Sequence, residues 1–171
     1  MSGMGLGRLV VGFAVVSVLS GPVALFAQEH SDQLAKESAI AVVEQLFDAM
    51  RAADSSTVRA VFADGVTDFR RSGTSPDGEP AIGVGTLEGF VTGVGGAEVG
   101  AWDEQIVVRD AIVDDNLVTL ITPYVFYFDG KLSHCGVNVF LVAKSGEDWK
   151  IVSLVDTNRR GEGVCEGWLD E

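Results

Sequence analysis

An α+β domain, with N-terminal helices packed on a strongly curved antiparallel sheet around an interior pocket, follows from three features of this 171-residue sequence. Residues 117–128 and 132–144 read as two long strands meeting at Asp129-Gly130, a pair that tolerates the positive φ of a tight hairpin. Trp149 opens a further strand, residues 149–157, after the turn at Ser145-Gly146. Two apolar segments of helical period precede them.

Ser31 or Asp32 caps a first helix reaching about Ala52, with Leu34, Ile40, Val43, Phe47 and Met50 as its apolar stripe. Asp54 caps a second helix bearing Val58, Val61 and Phe62, and Gly65 stops it. Residues 68–71 form a short strand. Residues 73–85 hold Pro76, Gly78, Pro80 and Gly83 and read as a loop. Thr86 caps a short helix ending among Gly93, Gly95 and Gly96. From Trp102 the period changes to two, with one strand over residues 102–113 before the turn at Asp114-Asp115-Asn116.

Residues 1–27 carry the marks of a cleaved secretory leader: a short start bearing Arg8, an apolar run broken by Gly21-Pro22, and Ala27 before a polar stretch. A transmembrane anchor needs ~20 apolar residues, which this interrupted run does not supply. Residues 28–158 are one domain's worth of chain, and residues 159–171 a polar tail. The reading places the protein outside the cytoplasm, periplasmic or secreted. A formal net charge of −13 repels phosphate backbones and anionic membranes, so neither nucleic acid nor a membrane is expected as partner. Cys135 and Cys165 are the only cysteines. Their even number and the oxidising compartment predict a disulfide tethering the tail, worth roughly 3–4 kcal/mol by loop entropy.

A two-residue turn with no irregularity puts Tyr124 opposite Cys135 and Leu120 opposite Val139. One face then carries Val118, Leu120, Thr122, Tyr124, Phe126, Ser133, Cys135, Val137, Val139 and Leu141, and this apolar face is assigned to the helices and pocket. The other face carries His134, Asn138 and Phe140, and is expected to pair with a second copy as a homodimer. A one-residue slip swaps these assignments.

The stretch from Ala41-Val42-Val43-Glu44-Gln45-Leu46-Phe47 to Val61-Phe62-Ala63-Asp64, with the Trp149-Lys150-Ile151 strand, resembles the nuclear transport factor two-like superfamily. Phe126-Tyr127-Phe128-Asp129-Gly130-Lys131 and His134-Cys135-Gly136 are similar to its secreted SnoaL-like or putative lumazine-binding members. The resemblance spans most of residues 38–158. It implies a cone-shaped domain with a pocket between helices and sheet, often dimeric through the sheet. That fold hosts isomerases, hydrolases, dehydratases and members without known catalysis, so function has to be argued from the site.

Measured against the ketosteroid isomerases of the superfamily, the resemblance puts their helix tyrosine at Leu46 and their base near Arg70, two residues from Asp68. Their hairpin aspartate falls at Val139, or at Asn138 if the turn slips. Aliphatic residues at the donor positions remove the main oxyanion stabilisation. Asp68 and Tyr124 are left as the acid–base candidates of a small isomerase- or hydrolase-type enzyme. Tyr124, Phe126, Trp102 and Arg70 are the candidate ligand contacts for a small apolar molecule. His134 and Cys135 point to opposite faces of a strand and cannot share a metal ion, and no cofactor is expected. An exported binding domain without a recognisable catalytic constellation is the first reading. The enzyme and a dimeric assembly domain are the alternatives.

Overall fold

The structure, a computed structural model, describes residues 22–161 and 163–170. The expected leader falls largely on residues 1–21, outside the described residues. No helix among the described residues is long and apolar enough to cross a membrane.

Helix α1 (Pro22–Arg51) starts earlier than its expected caps. Its buried stripe is Ala35, Ala39, Val43, Leu46, Phe47 and Met50, whereas Leu34 is half exposed. The small alanines belong to this stripe and rest in the core. Asp54 caps α2 (Ser55–Ala60), accepting hydrogen bonds from the backbone N–H groups of Ser56 and Thr57. Hydrogen bonds from the side chains and backbone of those two residues hold its carboxyl at a pKa of about 2. The helix stops at Ala60, short of Gly65, because the chain next joins the sheet: Ile151 N–H donates to Val61 O and Ala63 N–H donates to Ile151 O, both 2.9 Å. Thr86 caps α3 (Leu87–Gly95) through Gly89 N–H.

The sheet comprises β1 (Asp68–Thr74), β2 (Pro80–Thr86), β3 (Trp102–Ile106), β4 (Asp110–Asp114), β5 (Leu117–Phe128), β6 (Lys131–Ser145) and β7 (Asp148–Thr157). Their order is β2-β1-β7-β6-β5-β3, with β4 also on β5. Only β1 and β7 run parallel.

Two departures from the sequence reading have local causes. Residues 80–86 are strand rather than loop. Glycines at 83 and 85 disguise it, but a Cβ on Gly85 would lie 2.4 Å from the Phe69 ring, so the strand needs glycine where that ring crosses it. The single strand expected over residues 102–113 is two, β3 and β4, each pairing with half of β5. The break lies opposite Pro123, which has no N–H to continue the ladder; its carbonyl still accepts from Val107 N–H at 3.1 Å.

The third departure matters most. Asp129 and Gly130 both have positive φ and make the expected turn, with Phe128 opposite Lys131. Tyr127 then pairs with Leu132 but Phe126 pairs with His134, so Ser133 is an extra residue, a β-bulge. Beyond it Tyr124 faces Gly136, not Cys135, and Leu120 faces Phe140, not Val139. The inner face of β6 is therefore His134, Gly136, Asn138, Phe140 and Val142. Cys135, Val137, Val139 and Leu141 lie outside, which reverses the predicted assignment. Phe140 and Val142 are fully buried, and Phe140 meets Phe47 of α1 edge to face at 6.1 Å.

Cys135 and Cys165 form the expected disulfide, their Cα atoms 5.6 Å apart. It lies on the outer face with Val125, Tyr127, Trp168 and Leu169. Trp168 Nε1–H donates to Gly136 O at 2.8 Å, and the Arg159 guanidinium sits 4.6 Å from the Trp168 ring centroid. The bridge closes a sequence separation of 30 residues. A Cys135→Ala/Cys165→Ala double variant is expected to lose about 3 kcal/mol. Denaturant unfolding measures it, and an unchanged midpoint would show that the tail's other contacts suffice.

Candidate functional site

Alternation along three strands builds the site. On β1, Phe69 and Arg71 face inward, while Asp68 and Arg70 share the opposite face. On β3, Trp102 and Glu104 face inward, Glu104 beside Phe126 of β5, which pairs with His134 of β6. On β7, Asp156 pairs with Asn138 and lies beside Arg71 of the parallel β1. These residues line a cavity of about 550 Å³ between sheet, α1 and α3, within the range of small-molecule sites. Its wall is aromatic: Phe69, Phe90, Trp102 and Phe126 make a chain of contacts with centroids 6.0–6.2 Å apart.

Set into that wall is a polar row. Arg71 Nε donates to both Asp156 carboxylate oxygens, at 2.9 and 3.0 Å, and Nη2 donates to Oδ2 at 2.5 Å. Asp156 is buried and the Arg71 side chain is 44% exposed. The carboxylate beside it raises the Arg71 pKa further. Asn138, also buried, donates from Nδ2 to Glu104 Oε1 at 2.8 Å. Thr122, the cross-strand partner of Asn138, is fully buried, and its hydroxyl has no hydrogen-bond partner among the described residues.

Burial pushes the Glu104 carboxyl up to about 7, against the Asn138 hydrogen bond that lowers it; the Asp156 charge adds to the rise and Arg71 opposes it. Burial, then the charges of Arg160 and Arg71, pushes His134 down to about 4, so its imidazole is neutral at pH 7. Its Nδ1 is 3.0 Å from Ser133 Oγ, and its ring tilts against Phe126 at 4.9 Å. An aromatic pocket thus presents a carboxyl that titrates near neutrality, a neutral imidazole and a fixed ion pair.

The two shifted groups oppose each other in stability. A carboxyl raised from 4.5 to about 7 binds its proton more tightly in the folded chain, so its contribution falls as pH rises through that interval. A histidine lowered from 6.5 to about 4 binds its proton less tightly when folded, so its contribution rises over its own interval. Their overlap, about pH 4.5–6.5, is expected to show a nearly flat contribution from the pair. In Glu104→Gln, thermal unfolding should reveal a steeper gain of stability with pH there. An unchanged profile would show that Glu104 has no raised pKa.

Of the residues singled out in the sequence, Trp102 and Phe126 line the cavity. Arg70 does not; it pairs with Asp68 at 2.8 Å, both side chains over 40% exposed. Tyr124 lies behind the lining, its hydroxyl donating to Thr157 O at 2.7 Å. Burial, then the charges of Glu104 and Asp156, drives its pKa well above the ordinary phenol range. Leu46 lines the cavity, as does Asn138, the position reached when the hairpin slips by one. Glu104 and Asp156 were missed. Glu104 was within reach, since alternation puts it on the face of Trp102. His134 and Asn138 were assigned to the outer face because Ser133 was counted as an ordinary ladder residue.

No family model matches the chain, and no curated protein matches it in sequence. Solved structures do match in fold. An NTF2-like protein with a cystatin-like fold from Novosphingobium aromaticivorans superposes with a TM-score of 0.59 at 11% identity, over 88% of this chain and 98% of that one. An NTF2-like protein of unknown function from Silicibacter pomeroyi gives 0.55 at 19% identity, over 78% and 98%. Another from Shewanella baltica gives 0.54 at 12%, over 80% and 98%. At these identities the likeness concerns the fold alone, and it agrees with the helix order and the antiparallel-dominated sheet described above. The chain has the nuclear transport factor two-like fold.

Proposed function

We propose that the chain takes up a small, mainly apolar molecule in the cone and moves a proton on it through Glu104, as a small isomerase or hydrolase does. The observation that carries this reading is the Glu104 carboxyl, aimed into an aromatic cavity, held by Asn138 and titrating near 7. A general acid–base group works best when its pKa is near the operating pH. Glu104 takes this role in place of Asp68 and Tyr124. Asn138 holds the carboxyl by one oxygen. Neutral His134 supplies a hydrogen-bond donor toward a ligand oxygen without adding charge. The Arg71–Asp156 pair keeps the adjacent wall electrically balanced.

The ligand is a neutral molecule with one polar group, since the aromatic wall offers apolar contact and Arg71, the cation lining it, is paired with Asp156. A panel of small cyclic carbonyl compounds and esters, assayed with wild type and Glu104→Gln, tests the reading. Turnover by wild type that survives in the variant would sink it.

The disulfide supports export to an oxidising compartment. Self-association through the outer sheet face is part of the proposal, on a smaller surface than the sequence implied. The tail covers the Val125 and Cys135 region, leaving Val139, Val152 and Val155 each 36–40% exposed. Sedimentation at micromolar concentration should give a dimer, and a monomer would remove this part of the proposal.

A further inference from the structure

Strand β2 ends the sheet, with β1 on one side and, among the described residues, no strand on the other. The two ends of the β1–β2 ladder fix the direction of its backbone groups. Ser75 N–H donates to Glu79 O and Leu87 N–H donates to Thr67 O, both at 2.9 Å. Hydrogen-bonded and open pairs alternate in an antiparallel ladder. Ala81, Gly83 and Gly85, opposite Gly73, Arg71 and Phe69, therefore bond to β1. Ile82 and Val84 turn their N–H and C=O groups outward, and no group among the described residues bonds to them. Their side chains lie together on the outer face, 73% and 62% exposed.

The opposite end of the sheet is guarded. Asp103 and Glu104 lie on β3, Asp110 and Asp114 lie on β4, and Arg51 of α1 donates to Glu104 O at 3.1 Å. Charges and a covering helix are the ordinary protection of a sheet edge against pairing with another chain. Strand β2, Pro80 to Thr86, carries no charged side chain.

We infer that β2 pairs antiparallel with β2 of a second copy of this chain, about a two-fold axis at Gly83. In that register Ile82 lies opposite Val84 of the second copy, and Val84 opposite its Ile82. The outward N–H and C=O groups of each residue then meet their counterparts, as a self-complementary contact requires. The isoleucines and valines join in one apolar cluster on the outer face, and the glycines at the axis let the strands approach on the inner face. The chain has a formal net charge of −13, yet residues 69–76 and 80–87 contain no carboxylate. Two copies thus meet here without opposing acidic groups; Glu88, just beyond the strand, is paired with Arg59. The contact is small, below the about 1,200 Å² of stable interfaces, so it forms reversibly and at high concentration. It uses none of Val139, Val152 and Val155, and stands whether or not copies also associate through the outer face.

The test is residue-resolved amide exchange by NMR on the full, disulfide-intact chain, from micromolar to millimolar concentration. In wild type the Ile82 and Val84 amides should exchange about tenfold more slowly at the high end. Ile82→Pro removes an N–H that β1 does not use, which an edge strand tolerates. Val84→Lys adds a charge at the edge. Each should abolish the concentration dependence, read at Val84 in the first variant and at Ile82 in the second, with melting temperatures showing that the fold is kept. Val139→Lys, on the outer face of β6, should leave it intact. Flat exchange in wild type at millimolar concentration, slowing that survives either β2 variant, or slowing lost in Val139→Lys would overturn the pairing. A peptide of residues 79–87 added to dilute protein should slow the same amides; a scrambled peptide doing so equally well would give the edge to any extended strand and overturn pairing with a second copy.

Discussion

Glu104→Gln is expected to lower turnover about 10²–10⁴-fold, the usual contribution of a positioned acid–base group, with ligand affinity held within a few-fold. Glutamine keeps the shape of the side chain and an oxygen to accept the 2.8 Å hydrogen bond from Asn138. It removes only the titrating proton. A purely structural Glu104 would behave differently: the variant would then keep full turnover and change only stability. The measurement is a comparison of kcat and KM for wild type and variant on one substrate across pH. Loss confined to kcat supports proton transfer. An equal loss in affinity would move Glu104 from chemistry to binding.

Gly136→Ala is expected to cost about 4 kcal/mol and to disturb the pocket floor. The added Cβ would stand 2.0 Å from Thr157 O and 2.8 Å from the Tyr124 ring. Thr157 O is a backbone atom and Tyr124 is fully buried, so neither yields cheaply. Overpacking of this kind costs about 1–3 kcal/mol. Displacing Tyr124 also breaks its 2.7 Å hydrogen bond to that same Thr157 carbonyl, about 1 kcal/mol or more for a buried donor. Gly136 O accepts from Trp168, so the tail registers the same disturbance. Denaturant unfolding and the Trp168 fluorescence read the two effects together. A loss below about 1 kcal/mol would mean that the β6–β7 junction opens easily.

The parts of the site visible in the sequence and the parts that were not differ in kind. Trp102 and Phe126 were readable as pocket residues because a period of two and aromatic bulk mark an inward face. Arg70 and Asp68 were chosen where Arg71 was the inward residue; a four-residue stretch such as Asp68-Phe69-Arg70-Arg71 does not reveal which of its faces is buried. Phe69 settles it in the structure, by crossing Gly85 and meeting Phe90 at 6.0 Å. Asp156 was invisible because its partner, Arg71, is distant in the chain and joins it only through the parallel β1–β7 pairing.

What the sequence determined by itself is local. The caps at Asp54 and Thr86, the turn at Asp129-Gly130 and the extent of β5 follow from short-range backbone and side-chain chemistry. The cysteine pairing follows from there being two cysteines in the sequence. Tertiary structure alone decided which residues of β6 face the cavity. One additional residue at Ser133 costs little locally, yet it turns every later side chain to the other face. The choice is made far from the turn, where Phe140 and Val142 fill the core under α1 and Gly136 leaves room for Tyr124. That packing brings His134 and Asn138 inside with Glu104, because burial of the larger side chains outweighs the regularity of the ladder.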